Sequence, residues 1–322
     1  MTRRDRIRAA VVQAGSAGFD TGATLDRLDS WTAEAARGGA ELVVFPEAFV
    51  GAYPKGLDFG ARLGSRTAAG RDEFRRYFEA AVELPGPALD RIAAAARSHA
   101  AHLVVGVIER DGGTLYCTQV HVGADGRFLG KHRKLMPTAL ERLVWGFGDG
   151  STLPVFDTPL GRIGGAICWE NYMPLLRMAL YAKGVELYCV STVDDRDQWL
   201  HTMRHVAYEG RCFVLSACQH LRRGAFPADY ACSQGDEPDT TLIRGGSLIV
   251  SPFGELLAGP VYGEDAVLTA ELDLAEIARG KYDLDVVGHY ARPDVFQLSV
   301  DERPQHPVVR HAESEPPPRG GP

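Results

Sequence analysis

The 322 residues are 45% apolar, enough for one large buried core or two modest ones, which excludes disorder as the main state. Thirty-five Lys and Arg against 42 Asp and Glu leave a formal charge of −7, which repels phosphate backbones and anionic lipid, so neither nucleic acid nor membrane is an expected partner. No window approaches the roughly 18 consecutive apolar residues of a membrane span, and MTRRDRIRAAVVQAG passes into a strand pattern without a signal-type apolar core; the expected compartment is the cytoplasm.

RAAVVQA reads as a buried strand, followed by a helix whose Leu25, Leu28, Trp31 and Ala35 share one face until Gly38 and Gly39 stop it. ELVVFPE is the next strand. Helical spacing returns twice, in Phe74, Tyr77, Phe78, Ala81 and Val82 between Arg71 and Leu84, and in Leu89, Ile92, Ala93 and Ala96 after PGP. HLVVGVIER, LYCTQVHV and RFLGKHRKL are consecutive strands, the last two joined by an Asp125-Gly126 turn, so this part is antiparallel. RIGGAIC, ending at Cys168, leads through Trp169, Glu170 and Asn171 to a helix beginning near Pro174. VELYCVST, a helix around Trp199 to Tyr208, and CFVLSAC form a further strand-helix-strand unit; SLIVSPFGELLAG and AVLTAELDL supply a late hairpin and strand. Two strand-helix halves on either side of about Gly150 suggest an α/β two-sheet sandwich. Residues 1–300 read as one domain. In 301–322 six residues are proline and no apolar period survives, so a solvated, disordered tail is expected.

The six cysteines form no CxxC pair, which leaves no disulfide framework or zinc finger, and reduced thiols are expected. Cys168, between a buried strand and a helix N-terminus, is placed for a helix dipole to favour its thiolate. Cys117, Cys189, Cys212 and Cys218 lie in strand patterns and read as packing; Cys232 lies in a polar loop. Glu47, after ELVVFP, puts a carboxylate at a buried strand end, where low dielectric raises its pKa toward that of a general base. Lys134 closes KHRK before Met136-Pro137 and could stabilise an anionic intermediate, whereas Lys131 and Arg133 read as solvated charges. Nucleophile, base and electrophile thus each stand at a strand end. His201, His205 and Glu209 recur every fourth residue, but without an HExxH core a helix face beside a polar site accounts for them and no metal is expected. GFGDGS neither follows a strand nor opens a helix, which excludes a dinucleotide loop, and no GxxxxGK[ST] or GxSxG occurs.

VVFPEAFVGAYPKG, LGKHRKLMPTALERLVWGFGDGS and GGAICWENYMPLLRMALYAKGVELYC resemble the three signature segments of the nitrilase branch of the carbon-nitrogen hydrolases. FVLSACQ, GGSLIVSPFGELLAGP and VGHYARPDVFQL extend the resemblance over about residues 6 to 300, and GRDEF, GKHRKLMPT, GDGST and CWEN are closest to plant-type nitrilases and bacterial relatives acting on arylaliphatic or cyanoamino-acid nitriles. The resemblance implies a four-layer alpha-beta-beta-alpha sandwich. It implies a catalytic base at Glu47, a charge stabiliser at Lys134 and a nucleophile at Cys168. Glu141 would be an additional carboxylate that holds Lys134 and helps to position water. The implied reaction converts an arylaliphatic or aliphatic nitrile to carboxylic acid and ammonia through a thioimidate and a thioester, with some amide as by-product and no cofactor. It also implies homodimers that build spirals, with the HYARPDVF segment near the assembly surfaces. Tyr53, Trp145 and Trp169 are expected as apolar walls for the substrate. An amidase, a carbamoylase or a cyanide-hydrolysing enzyme shares this chemistry and is the alternative, since pocket shape alone separates a linear nitrile from a planar amide. Departures at Tyr172, Val193, Asp194 and residues 222–243 bear on substrate size and loop assembly.

Overall fold

The computed structural model describes residues 4–306 except Pro154 and Ala231, together with Val308. Strand β1 (Arg6–Gln13) leads to helix α1 (Thr21–Arg37), whose first turn is capped by the Asp20 side chain accepting from the Ala23 amide at 2.9 Å. Then follow β2 (Leu42–Val44), α2 (Ala68–Ala80), α3 (Pro87–His99), β3 (His102–Asp111), β4 (Thr114–Val122) and β5 (Phe128–Arg133). The second half holds β6 (Val155–Thr158), β7 (Gly161–Ile167), α4 (Pro174–Ala182), β8 (Leu187–Thr192), α5 (Gln198–Gly210), β9 (Phe213–Cys218) and β10 (His220–Arg222). It closes with β11 (Thr241–Val250), β12 (Leu256–Tyr262), β13 (Ala266–Asp273) and α6 (Ala275–Asp283).

The expected helix over Arg71 to Leu84 ends earlier, at Ala80, because the Val82 amide donates to the Ile108 carbonyl at 2.9 Å and draws the chain onto the edge of β3. Three short elements escaped the apolar pattern. β6 is a half-exposed edge strand, β10 has three residues, and α6 buries only Ile277 and Gly280.

One sheet runs β13-β1-β2-β3-β4-β5 and the other β10-β11-β9-β8-β7-β6, with β12 paired to β11. Within them β1, β2 and β3 are mutually parallel, as are β7, β8 and β9, and antiparallel strands flank each parallel centre. The central strands read as continuous apolar runs because they are covered on both faces. Ala9, Val11 and Val44 of one sheet meet Leu187, Phe213 and Leu215 of the other in the middle layer. The outward faces pack beneath helices, Val43 and Val105 against Leu28 and Ile92, and Val190 and Val214 against Leu180, Met203 and Val206. The order is helix, sheet, sheet, helix, the expected four-layer alpha-beta-beta-alpha sandwich.

Most of the expected tail, 301–322, lies outside the described residues. At its start Glu302 pairs with Lys183 at 2.8 Å, and the Gln305 amide donates to Asp149 at 2.7 Å.

Candidate active site

The parallel centres put the carboxyl ends of β2 and β7, followed by Glu47 and Cys168, on one side, and β5, twice reversed from β3 and so running with it, brings Lys134 there too. Gly106 of β3 makes room for the first of them, since a Cβ at that position would stand 2.1 Å from the Pro46 carbonyl and 2.7 Å from the Glu47 Cα. Gln219, just after β9, ties the Glu47 carbonyl to the second sheet with a 2.7 Å hydrogen bond. Lys134 continues the β5 ladder through its amide, which donates to Cys117 at 2.8 Å. Cys168 has φ +50, in the left-handed region that costs a side-chain-bearing residue, and the turn is held by Asn171 Nδ2 donating to its carbonyl at 2.8 Å.

The three suspected residues are brought together. Lys134 Nζ lies 2.6 Å from Glu47 Oε1 and 2.8 Å from Glu141 Oε2, so one buried ammonium is gripped by two carboxylates. Glu141 also accepts from the Thr138 amide at 2.6 Å and from the Tyr53 hydroxyl at 2.8 Å. Glu47 Oε2 is buried without a hydrogen-bond partner among the described residues. Burial pushes the Glu47 carboxyl above its ordinary value, against the pull of Lys134. For Lys134 burial opposes the charge, but Glu47, with Cys168 and Glu141 behind it, outweighs burial and holds the ammonium well above the usual range.

Cys168 corrects one expectation. Burial first, and then the Glu47 charge, push its thiol well above the ordinary range. The dipole expected to favour the thiolate is weak here because Cys168–Tyr172 is a 3-10 turn and α4 starts only at Pro174. The resting site therefore holds a thiol beside a carboxylate.

Beneath these residues lies a second pair that sequence reasoning missed. Glu170 is buried, accepts from the amides of Ile167 at 2.8 Å and Leu135 at 2.6 Å, and meets His132 Nε2 at 2.9 Å; His132 Nδ1 bonds the Thr152 carbonyl. It fastens the residue before the nucleophile to the residue after the lysine. Burial opposes both charges, yet each partner prevails on the other: the imidazole is raised and the carboxyl lowered. The signal was present, in the Glu of CWE and the His of KHRK. Nor is Cys117 mere packing, because its thiol donates to Glu47 Oε1 at 3.5 Å. Lys131 and Arg133 are likewise not simply solvated, since both pair with the buried Glu109 at 2.5 Å.

A cavity of about 180 Å³ opens at Cys168, between Tyr53, Trp169 and Val193 on one hand and the polar Lys55, Thr138, Asp194, Asp195 and Arg196 on the other. Its walls are thus more polar than the expected aromatic and aliphatic ones. Trp169 is half-exposed at the mouth, where its indole N–H donates to Asp194 at 2.9 Å and the Arg196 guanidinium lies 4.6 Å from a ring centroid. Trp145 is absent from the wall. It is buried behind Tyr53, with its N–H donated to Tyr77 at 3.0 Å, and backs Lys134 rather than substrate.

On α5, His201 and His205 face solvent, and Glu209 is engaged by Arg177 at 2.7 Å and Tyr181 at 3.0 Å. Among the described residues no group of three His, Cys, Asp or Glu side chains is arranged to hold a metal ion. No described helix is long and apolar enough to cross a membrane.

The carbon-nitrogen hydrolase model matches residues 8–282, and the chain belongs to that family. Within it the chain is similar to nitrilases. It is 58% identical over 308 residues to the bifunctional nitrilase/nitrile hydratase NIT4A of Lupinus angustifolius, covering 94% of this chain and 88% of that protein. To a nitrilase of Bradyrhizobium diazoefficiens it is 56% identical over 306 residues, covering 95% of each. The C. elegans NitFhit structure superposes with a TM-score of 0.73 at 20% identity, over 95% of this chain and 70% of that one, and shows the shared fold.

Proposed function

We infer that the protein is a nitrilase that hydrolyses organic nitriles to carboxylic acid and ammonia, with Cys168 as nucleophile. The observation that carries the reading is the buried Glu47-Lys134-Glu141 cluster beside the Cys168 thiol, in a chain 58% identical to a nitrilase. A nitrile carbon is a weak electrophile and needs a thiolate. Because burial raises the pKa of both thiol and carboxyl, the proton passes from Cys168 to Glu47 as the C–S bond forms and continues to the nitrile nitrogen, giving a thioimidate. Lys134, and the Trp169 amide at the start of the 3-10 turn, stabilise negative charge as it develops. Water adds next; ammonia leaves and a thioester remains, which a second water hydrolyses to acid and the free thiol. Glu141 holds Lys134 and, with Tyr53, positions water.

A cavity of about 180 Å³ with Tyr53, Trp169 and Val193 along one side supports a substrate with a short aliphatic or single-ring body. Contacts with that body hold the nitrile carbon at the sulfur, so such nitriles outcompete free cyanide. The exposed Tyr290, Val295 and Phe296 support the reading that the chain dimerises and builds into a spiral. Six free cysteines support a reducing compartment, the cytoplasm.

The test incubates pure protein with short aliphatic and arylacetic nitriles, cyanide and the cognate amides, following ammonia and product mass. Fastest turnover is expected on an organic nitrile; faster hydrolysis of the amides would make the protein an amidase.

A further inference from the structure

β8 ends in two adjacent hydroxyls that reach opposite halves of the site. Ser191 Oγ donates to the Phe45 carbonyl at 2.8 Å, two residues before Glu47, while Thr192 Oγ1 lies 3.2 Å from Cys168 Sγ. Thr192 is fully buried, and its oxygen accepts the Asp194 amide proton at 3.0 Å. An N–H can only donate, so this bond uses an acceptor position of Thr192 and leaves its single proton free to point at the sulfur. The thiol proton of Cys168 is then left to face Glu47.

We propose that Thr192 is a catalytic residue that donates a hydrogen bond to the Cys168 thiolate and, by stabilising it, raises the share of nitrile released as amide. The claim rests on the nitrilase reading above and deepens it. After water adds to the thioimidate, one carbon carries oxygen, nitrogen, the Cys168 sulfur and the substrate body. If the C–N bond breaks, its electron pair leaves on nitrogen, which departs as ammonia once protonated, and C=O formation gives the thioester. If the C–S bond breaks, the pair goes to sulfur, the hydroxyl proton passes to Glu47, and the amide leaves with a Cys168 thiolate behind. Only the second route at this branch point develops charge on sulfur, so a donor at Thr192 favours it. The same bond lowers the thiol pKa, in opposition to burial. Hydrogen bonds to ionised acceptors are about twice as strong as neutral ones, so the effect is large enough to measure.

The experiment compares the natural chain with Thr192→Val, which keeps the shape, and Thr192→Ser, which keeps the hydroxyl. Alkylation of Cys168 by iodoacetamide is followed by peptide mass against pH, with melting temperature in parallel and the amide-to-acid ratio on one nitrile. Thr192→Val is expected to alkylate about ten-fold more slowly at fixed neutral pH, as a change of one unit in thiol pKa requires, with its profile displaced to higher pH. Its amide share should fall, and Thr192→Ser should restore both. A Thr192→Val protein that melts lower but alkylates along the natural profile would have lost only packing, and the proposal would be overturned. An amide share equal to or above that of the natural chain overturns the partition claim. Alkylation needs no nitrile, so a natural chain that turns over no nitrile overturns the functional reading while the profile still decides on Thr192.

Discussion

Because burial and the Glu47 charge keep Cys168 a thiol at rest, its proton has to be removed during attack, which makes the base as necessary as the nucleophile. Cys168→Ala should therefore abolish nitrile turnover and leave the melting transition in place, and turnover above background would sink the assignment. Glu47→Gln keeps the shape beside Lys134 but cannot take a proton, so kcat/KM should fall by roughly 10² to 10⁴. Glu141 grips the same ammonium from the cavity side, and Glu141→Gln should be milder; a Glu47→Gln enzyme at near-normal rate would force a search for another base. Lys134→Met differs in kind. It leaves two carboxylates without their shared partner, one of them fully buried, and removing one member of a buried pair costs about 3–5 kcal/mol, measurable by urea unfolding.

Elements meet at the His132–Glu170 pair, which joins the end of β5 to the end of β7. The folded His132 pKa is raised above its ordinary 6.5, so the stability it adds is whole below 6.5 and is lost as pH rises through the raised value. The folded Glu170 pKa is lowered below its ordinary 4.5, so its share is whole above 4.5 and is lost as pH falls through the lowered value. Their joint contribution is thus complete between pH 4.5 and 6.5. Against a His132→Gln variant, the stability advantage of the natural chain should shrink as urea midpoints are taken from pH 6 to pH 9. A constant advantage would mean that the imidazole does not change charge on folding. Legibility at this scale followed length and periodicity. The helix face of Leu25 and Leu28 was plain, whereas β6 was too short and too exposed, and β10 too short, to leave a pattern.

For the whole molecule, the α5 histidines face solvent and the cluster at Cys168 is built of protein charges. Exhaustive dialysis against a chelator should leave nitrile turnover unchanged; stoichiometric zinc whose removal and return track activity would defeat that expectation. The exposed Tyr290, Val295 and Phe296 carry the assembly reading. Sedimentation should give a particle larger than one chain, and Phe296→Asp should reduce its size, with the site residues left as they are.

Glu47 and Cys168 were separable from the other acids and cysteines because each ends an apolar strand, and Lys134 because it closes KHRK just before Met136-Pro137; strand ends are written locally as period and punctuation. The alternation of strands and helices carried the layered α/β architecture in the same way, through which faces need cover. Apart from Glu141 on Lys134, which the family resemblance implied, which groups partner which was decided by the tertiary structure. Glu170 on His132 and Cys117 on Glu47 are contacts across 38 and 70 residues, and burial acts on a group only after distant strands have enclosed it. The same holds for the protonation of Cys168. Read locally, it stands before a helix whose dipole favours a thiolate; in the fold a short turn separates it from that helix, and burial and the Glu47 charge push the thiol up.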